Sequence, residues 1–351
     1  MNKSKVLVLG YFGYVTNQLD GQTVKTRSIY ELLKSKEKKT GFILSFLDTQ
    51  TFQTNRSDVL KMFTMVCKTD ILVYIAAHNN LKYFFPIIYL IAKVRRIPIH
   101  YIVVGGWLAE FIKNKPLHIH MLRKIKGIYP QTKDLKNKLQ TIYNFSNVYQ
   151  LNNFRIGDHG LQADQSDKSD KNQLKLVYMA RVHPMKGVDV LFHLADDLKS
   201  SNIHSVSIDI YGPIFDEYEQ EFEEKLKTNG LVKYKGILQP VDIQKTLSEY
   251  DIMLFPTRYF TEGFPGSILD SFYAGVPVIS TKWKYADEFI DDGHCGIISP
   301  FDNESAFIEN VKSLIGNPKI INELKKGALK QALKFSPEVA WDVLEENMFT
   351  K

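Results

Sequence analysis

At 351 residues the chain is long enough for two domains of ordinary size, each with its own core. It is 44% hydrophobic and 24% charged without low-complexity tracts, and its two cysteines, Cys67 and Cys295, offer neither a disulfide framework nor metal-ligand spacing, which fits a reducing compartment. The net charge of +6 is unevenly spread: residues 1–170 hold 25 Lys and Arg against 12 Asp and Glu, a balance of +13, and the remainder hold 20 against 27, a balance of −7. Such asymmetry points the first half at something anionic. Basic residues without aromatic interleaving argue against nucleic acid. An anionic membrane surface, met through "KVRR" (93–96) and "KNKPLHIHMLRKIK" (113–126), is the expected partner, with a plain solvated basic face as the competing reading.

In chain order, "KVLVLG" reads as a buried strand rather than a signal segment. "QTVKTRSIYELLKS" has helical spacing, "TGFILSFL" is a strand, "DVLKMFTMVCK" a helix and "DILVYIAA" a strand. "LKYFFPIIYLIAKVRR" is expected as one helix with Pro86 in its first turn, followed by the strand "PIHYIVVGG". No segment reaches the roughly 20 uninterrupted apolar residues of a membrane span. The polar stretch 158–173 reads as a linker or loop. Alternation then restarts with "LKLVYMAR", "GVDVLFHLADDLKS", "SVSIDIYG" and "DEYEQEFEEKLKTN", and continues through "VKYKGI", "DIMLFP" and "VPVIS". The final "SPEVAWDVLEENMF" is an amphipathic helix opened by Ser336 and Pro337. This pattern predicts an α/β protein with two facing Rossmann-like domains and a cleft between them: residues 1–157, then 174–335, with 336–351 as a terminal helix.

Ligands of open α/β sheets sit at the carboxyl ends of strands. In "ARVHPMKGVD", Arg181 and Lys186 flank a turn between a strand end and a helix start, where two cations can converge on a diphosphate beside helix amides. "TEGFPGSILDSFYAGVPVIS" (261–280) places Glu262 before a turn and Asp270 eight positions on, in a helix that begins near Pro265 to Ser267 and stops at Gly275 before Pro277. Carboxylates there suit the hydroxyls of a neutral ligand such as a sugar.

Together, "VYMARVHPMKG", "IYGP", "VKYKGILQP", "IMLFPT", "EGFPGSILDSFYAGVPVIS" and "DGHCGIISPFD" resemble, in order and over nearly the full length, the retaining GT-B glycosyltransferases of family 4 (group 1), which build bacterial surface polysaccharides. The resemblance implies that Arg181 and Lys186 bind the donor diphosphate and stabilise the departing nucleotide without a metal or other cofactor. It makes Glu262 the first acid of the Glu-x7-Glu motif, facing the donor sugar, and Asp270 the second, facing the ribose, although Asp is one methylene shorter. Gly263, Phe264, Pro265, Gly266 and Ser267 would line the phosphates with backbone, Gly21 and Gln22 would stand at the N-terminal diphosphate turn, and the base would lie near Tyr211, Gly212 and Ile237. His183 is a further candidate beside the diphosphate. The His that many relatives carry after the fourth strand is replaced by Val104-Gly105-Gly106-Trp107. Gly105, Gly106, Trp107 and His78 are then acceptor candidates, against a tight turn with a packed Trp, and His118 and His120 are expected at the surface.

The resemblance implies transfer of a hexose or N-acetylhexosamine, with retention, from a nucleotide diphosphate sugar (a UDP-sugar is expected) to a hydroxyl of a lipid-linked saccharide or polysaccharide precursor. The expected location is cytoplasmic, peripheral at the inner membrane face, with no nucleic-acid partner. It also implies that the terminal helix crosses back onto the N-terminal domain. A catalytically silent paralogue that partners an active transferase is the alternative, motivated by the absent His and by Asp270; a nucleotide-sugar epimerase on the same fold is a further one.

Overall fold

The computed structural model describes residues 3–18, 20–156 and 173–349, so the expected linker at 158–173 lies, all but its last residue, outside the described residues. The chain divides into two compact units, one from residues 1–157 with 335–351 and one from 158–334.

Unit 1 is built on a parallel five-stranded sheet in the order β2-β1-β3-β4-β5. Its strands are β1 (Lys5–Gly10), β2 (Ile43–Asp48), β3 (Ile71–Ala76), β4 (Ile99–Val103) and β5 (Gly127–Tyr129). Every residue of β3 is buried, as a central strand covered on both faces requires. The side-chain period of two sorts β1 cleanly: Leu7 and Leu9 enter one core and Val6 and Val8 the other. The Leu7 face is covered by α2 (Ser57–Cys67), α3 (His78–Tyr83), α4 (Phe85–Arg95), α5 (Leu108–Ile112), α6 (Pro116–Lys124) and α7 (Lys133–Thr141). The Val6 face carries α1 (Gly21–Thr40).

The one long helix expected over 81–96 is two helices, divided at Phe84. Pro86 has no N–H to return to the preceding turn, so the hydrogen-bond ladder is interrupted there. β5, only three residues inside a basic stretch, was too short to show a period.

Unit 2 has a parallel six-stranded sheet ordered β11-β10-β9-β6-β7-β8, with β6 (Leu174–Met179), β7 (Val206–Tyr211), β8 (Val232–Tyr234), β9 (Ile252–Phe255), β10 (Val278–Thr281) and β11 (Gly296–Ser299). Its helices are α8 (Val188–Ser200), α9 (Glu219–Thr228), α10 (Ile243–Leu247), α11 (Gly266–Tyr273), α12 (Ala286–Phe289), α13 (Glu304–Leu314) and α14 (Pro318–Leu333). The chain then returns to unit 1. Ser336 caps α15 (Pro337–Met348), which lays Ala340, Trp341, Leu344 and Met348 in the same core as Val6, Val8, Ile29 and Leu33.

Each sheet has a point where successive connections leave in opposite directions, between β1 and β3 in unit 1 and between β6 and β9 in unit 2. In open α/β sheets the ligand crevice lies at the carboxyl ends of such strands. No described helix is long and apolar enough to cross a membrane.

Candidate functional site

In unit 2 the loops after β6, β7 and β9 are knitted backbone to backbone at the carboxyl edge. Val182 N–H donates to the Pro213 carbonyl at 2.9 Å, Phe215 N–H to the Val182 carbonyl at 3.0 Å, and Arg258 N–H to the Met185 carbonyl at 3.0 Å. Glycine makes this closeness achievable. Gly187 has φ 75° and an added Cβ would lie 1.8 Å from the Pro256 carbonyl oxygen; Gly212 has φ 137° and its Cβ would lie 1.9 Å from that of Ala180.

On this platform the loop after β6 makes a 3-10 turn, Pro184–Lys186, capped by the His183 ring, whose Nδ1 accepts from Met185 N–H at 2.9 Å. His183 thus serves the turn itself, with its ring 4.4 Å from that of Phe215. The turn delivers Lys186, whose Nζ donates to Glu262 Oε2 at 2.5 Å across 76 positions of sequence. Both side chains are partly buried, Glu262 the more so, and the ammonium also lies 5.8 Å from the centre of the Tyr259 ring. Arg181 is exposed. Beneath it, Tyr178 donates to the Arg181 carbonyl at 3.0 Å, and its phenol is pushed far up by burial first and by the Glu262 charge second. Arg181, Lys186 and Glu262 therefore share one strand edge.

Glu262 leads into α11. Phe264 is buried and stacks flat on Phe289, with centroids 4.0 Å apart, so only its backbone can face a ligand. Pro265 occupies the N-cap position and makes no side-chain cap of its own, and α11 starts through Gly266 and Ser267 with the positive end of its dipole. Gly263 and Ser267 are half-buried in the approach to it. Asp270 is the fifth residue of α11 and is buried at 6% exposure, while Gly275 at φ 71° ends the helix. On the other side of β6, Gly212 gives its N–H to the Gly236 carbonyl at 3.0 Å and accepts from the Tyr234 hydroxyl at 2.9 Å. Tyr211 is buried against Tyr250, so Ile237, which is exposed, is what this edge leaves open to contact.

In unit 1, the loop after β1 is braced by residues that the sequence reading did not single out. Buried Asp48 accepts from Phe12 and Tyr14 N–H, both at 3.0 Å, and Arg27 donates to the carbonyls of Phe12, Gly13 and Gln18. Asp20 caps α1 through a reciprocal box with Thr23, accepting from Gln22 N–H at 2.8 Å and Thr23 N–H at 2.9 Å. The Gln22 amide is thus already bound to a carboxylate, and Gly21 beside it is exposed. One turn along, Lys25 is buried at 5% exposure and its Nζ donates to the Val103 carbonyl at 3.2 Å. Burial alone lowers its pKa to about 7. An isolated Lys within an amphipathic pattern gives no signal that its head group turns inward.

After β4 the chain turns at Gly105 (φ 76°), and Trp107 donates its indole N–H to the Val104 carbonyl at 2.6 Å. Gly106 is exposed, and the Trp107 ring packs 5.4 Å from Phe111 and 5.5 Å from exposed His78. Trp107 is therefore half-committed to its own unit, as the tight-turn reading expected. His120 is exposed, but His118 corrects the surface expectation: it is buried, meets Phe111 edge-on at 5.5 Å and faces the Leu81 carbonyl at 3.3 Å. Its place on the inner face of α6, not its residue type, decides this.

Residues 162–331 match the sequence profile of the family described as Glycosyl transferases group 1. Among curated proteins, the capsular polysaccharide biosynthesis glycosyltransferase CapM of Staphylococcus aureus is 22% identical over 286 residues, 74% of this chain and 73% of that protein. An uncharacterized 41.2 kDa protein in the cps region of Klebsiella pneumoniae is 24% identical over 181 residues, 51% of this chain, so the match spans less than half, 46%, of that relative's length. Among solved structures, Anabaena HepE in complex with UDP-glucose superposes with a TM-score of 0.70 at 14% identity, covering 97% of this chain and 98% of that one. That likeness establishes the fold.

Proposed function

We propose that this chain, which matches glycosyl transferases group 1 over residues 162–331 and has the GT-B fold, transfers a hexose or N-acetylhexosamine from a UDP-sugar to a hydroxyl of a lipid-linked saccharide or polysaccharide precursor, with retention. The observation that carries the reading is the Lys186–Glu262 contact at the carboxyl edge of β6, with Arg181 on the same loop and the start of α11 following Glu262.

In this reading the donor diphosphate meets Arg181, Lys186 and the α11 amides, which offset its charge as the sugar departs. Glu262, oriented by Lys186, accepts from hydroxyls of the donor sugar; Asp270 lies deeper, toward the ribose. The bond from the anomeric carbon to the diphosphate oxygen breaks as a bond to the acceptor oxygen forms on the same face. The acceptor hydroxyl proton passes to the leaving phosphate oxygen. No metal is assigned a part, because the two cations and the helix end supply the positive charge. Uridine is favoured as the base by the UDP-glucose held in HepE, and a polysaccharide acceptor by the kinship with CapM.

Release of UDP from UDP-glucose and UDP-N-acetylglucosamine, measured with polyprenyl-diphosphate-linked sugars as acceptors, tests the proposal. One donor should turn over, and Lys186→Met and Glu262→Gln should each lower kcat/KM by about 10²–10³. Turnover unchanged in both variants overturns the site assignment. Donor binding without turnover on any acceptor favours the non-catalytic partner instead.

A further inference from the structure

The Lys186–Glu262 contact needs two segments in register, the turn after β6 and the loop after β9. A second tie between them centres on Arg258. Its N–H donates to the Met185 carbonyl at 3.0 Å, one residue before Lys186. Its guanidinium donates through Nη2 to Glu304 Oε2 at 3.1 Å. The other oxygen of Glu304, the first residue of α13, lies 2.5 Å from Nδ1 of His193 on α8. Burial would raise the Asp189 carboxyl, but hydrogen bonds from Lys225 and Tyr218 and the charges of Lys225 and Arg258 hold it below its ordinary value. Asp189 and His193 are four positions apart and share one face of α8. Arg258 is thus laid along that face, its backbone fixed just ahead of the helix and its head group fixed through Glu304.

The Arg258 and Glu304 side chains are 37% and 31% exposed, so the pair alone adds little to overall stability. What it supplies is register. Glu262 follows Arg258 by four residues, and the loop between them is bonded to itself: Tyr259 N–H donates to Thr257 Oγ1 at 3.1 Å and Glu262 N–H to the Tyr259 carbonyl at 3.2 Å. A loop this short moves with its anchor. The far end of the tie is steady as well, because Lys312 on α13 pairs with Asp197 on α8 at 2.9 Å and joins the same two helices a second time. Errors of an ångström in a group that meets a substrate are costly, even when their origin is remote.

We propose that Arg258 is a positioning residue for donor-sugar recognition: the Glu304 carboxylate holds its guanidinium along α8, and the loop so anchored keeps Glu262 in place against Lys186. The proposal rests on the donor-site reading of Lys186 and Glu262, and one of its two measurements needs no ligand.

Calorimetric titration of the full chain compares UDP with UDP-glucose and UDP-N-acetylglucosamine, and hydrogen exchange read by mass spectrometry follows segment 257–264 without ligand. In Arg258→Met and in Glu304→Gln, affinity for the UDP-sugar that the native chain binds best should fall about fivefold, the upper end for a part-exposed ion pair, while affinity for UDP is kept. Exchange across 257–264 should quicken by a similar factor. The double variant should lose no more than either single one, because the same interaction is removed once. Arg258→Lys, which keeps the charge, should recover most of both losses. Glu323→Gln, which breaks an exposed ion pair with Lys326 on α14, should match the native chain in both measurements. Equal losses for UDP and UDP-sugar, losses that multiply in the double variant, or native exchange in both single variants overturn the proposal. A native chain that binds no UDP-sugar overturns the donor-site reading instead, and the exchange comparison still decides whether Arg258 and Glu304 hold the loop.

Discussion

Replacing Lys25 by Met should stabilise unit 1 at neutral pH and remove a pH dependence that the native chain carries. The Lys25 ammonium sits at 5% exposure and burial lowers its pKa from 10.5 to about 7. At pH 7, where the unfolded chain keeps it charged and the folded chain holds it half neutral, this costs about 4 kcal/mol. Between those two values the unfolded state binds the extra proton, so native stability rises with pH, by about 2 kcal/mol from pH 7 to 9. Methionine keeps most of the stem packing and has no charge to bury. It forfeits the hydrogen bond to the Val103 carbonyl, a loss of about 1–3 kcal/mol. The variant should therefore gain about 1–3 kcal/mol at pH 7, and the gain should vanish near pH 9. Urea unfolding followed by tryptophan fluorescence in a Trp283→Phe background reads unit 1 through Trp107 and Trp341. Differencing against Lys25→Met cancels every other titrating group. Stability curves that run parallel from pH 7 to 9 would show that Lys25 is charged in the folded state and refute the argument.

Four further outcomes are expected. Phe264→Ala removes the flat stack on Phe289 and should cost about 3–5 kcal/mol of unit 2 stability by thermal or urea unfolding, with Phe264→Leu recovering much of it. His100 is fully buried beside the Tyr129 hydroxyl at 2.8 Å, and burial, helped by Lys126, lowers its pKa to about 3. The unfolded chain binds that proton below about pH 6.5, so stability should fall on acidification from 6.5 toward 3, and His100→Phe should flatten this slope. Because Arg181, Lys186 and the α11 helix end are assigned the diphosphate charge, UDP-sugar turnover should persist in EDTA; loss of activity restored by a divalent cation would contradict that assignment. Asp20→Asn leaves the cap on α1 but removes a negative charge from the edge of unit 1, so the helix should persist by circular dichroism while affinity for a diphosphate is unchanged or improves; weaker binding would show that the carboxylate itself takes part.

The long buried strands and amphipathic helices were legible because their periods extend over six or more residues, as in β1, β3, α8 and α15. The breaks were legible less often. Pro86 announced a helix start, but not that Phe84 would divide the segment into two helices. Strands β5 and β11 are three and four residues long and offer no period to read. At the candidate site, residue types and their order located Arg181, Lys186 and Glu262, while the Lys186–Glu262 contact spans 76 positions and only the fold could reveal it. Asp48 and Lys25 went unnoticed for the same reason. They act on backbone groups far away in sequence, as the Lys25 bond to Val103 across 78 positions shows, whereas Asp20 caps Gln22 and Thr23 two and three positions on, a local signal the sequence did carry.

The central claim is that the β6 edge of unit 2 receives a uridine diphosphate through Lys186. Calorimetric titration of UDP into the native chain and into Lys186→Met tests it without any need for an acceptor. The account predicts saturable one-to-one binding to the native chain, weakened about 10–100-fold in the variant, as loss of a charge-assisted contact of about 1.5–3 kcal/mol implies. Equal affinity in the two proteins would contradict it.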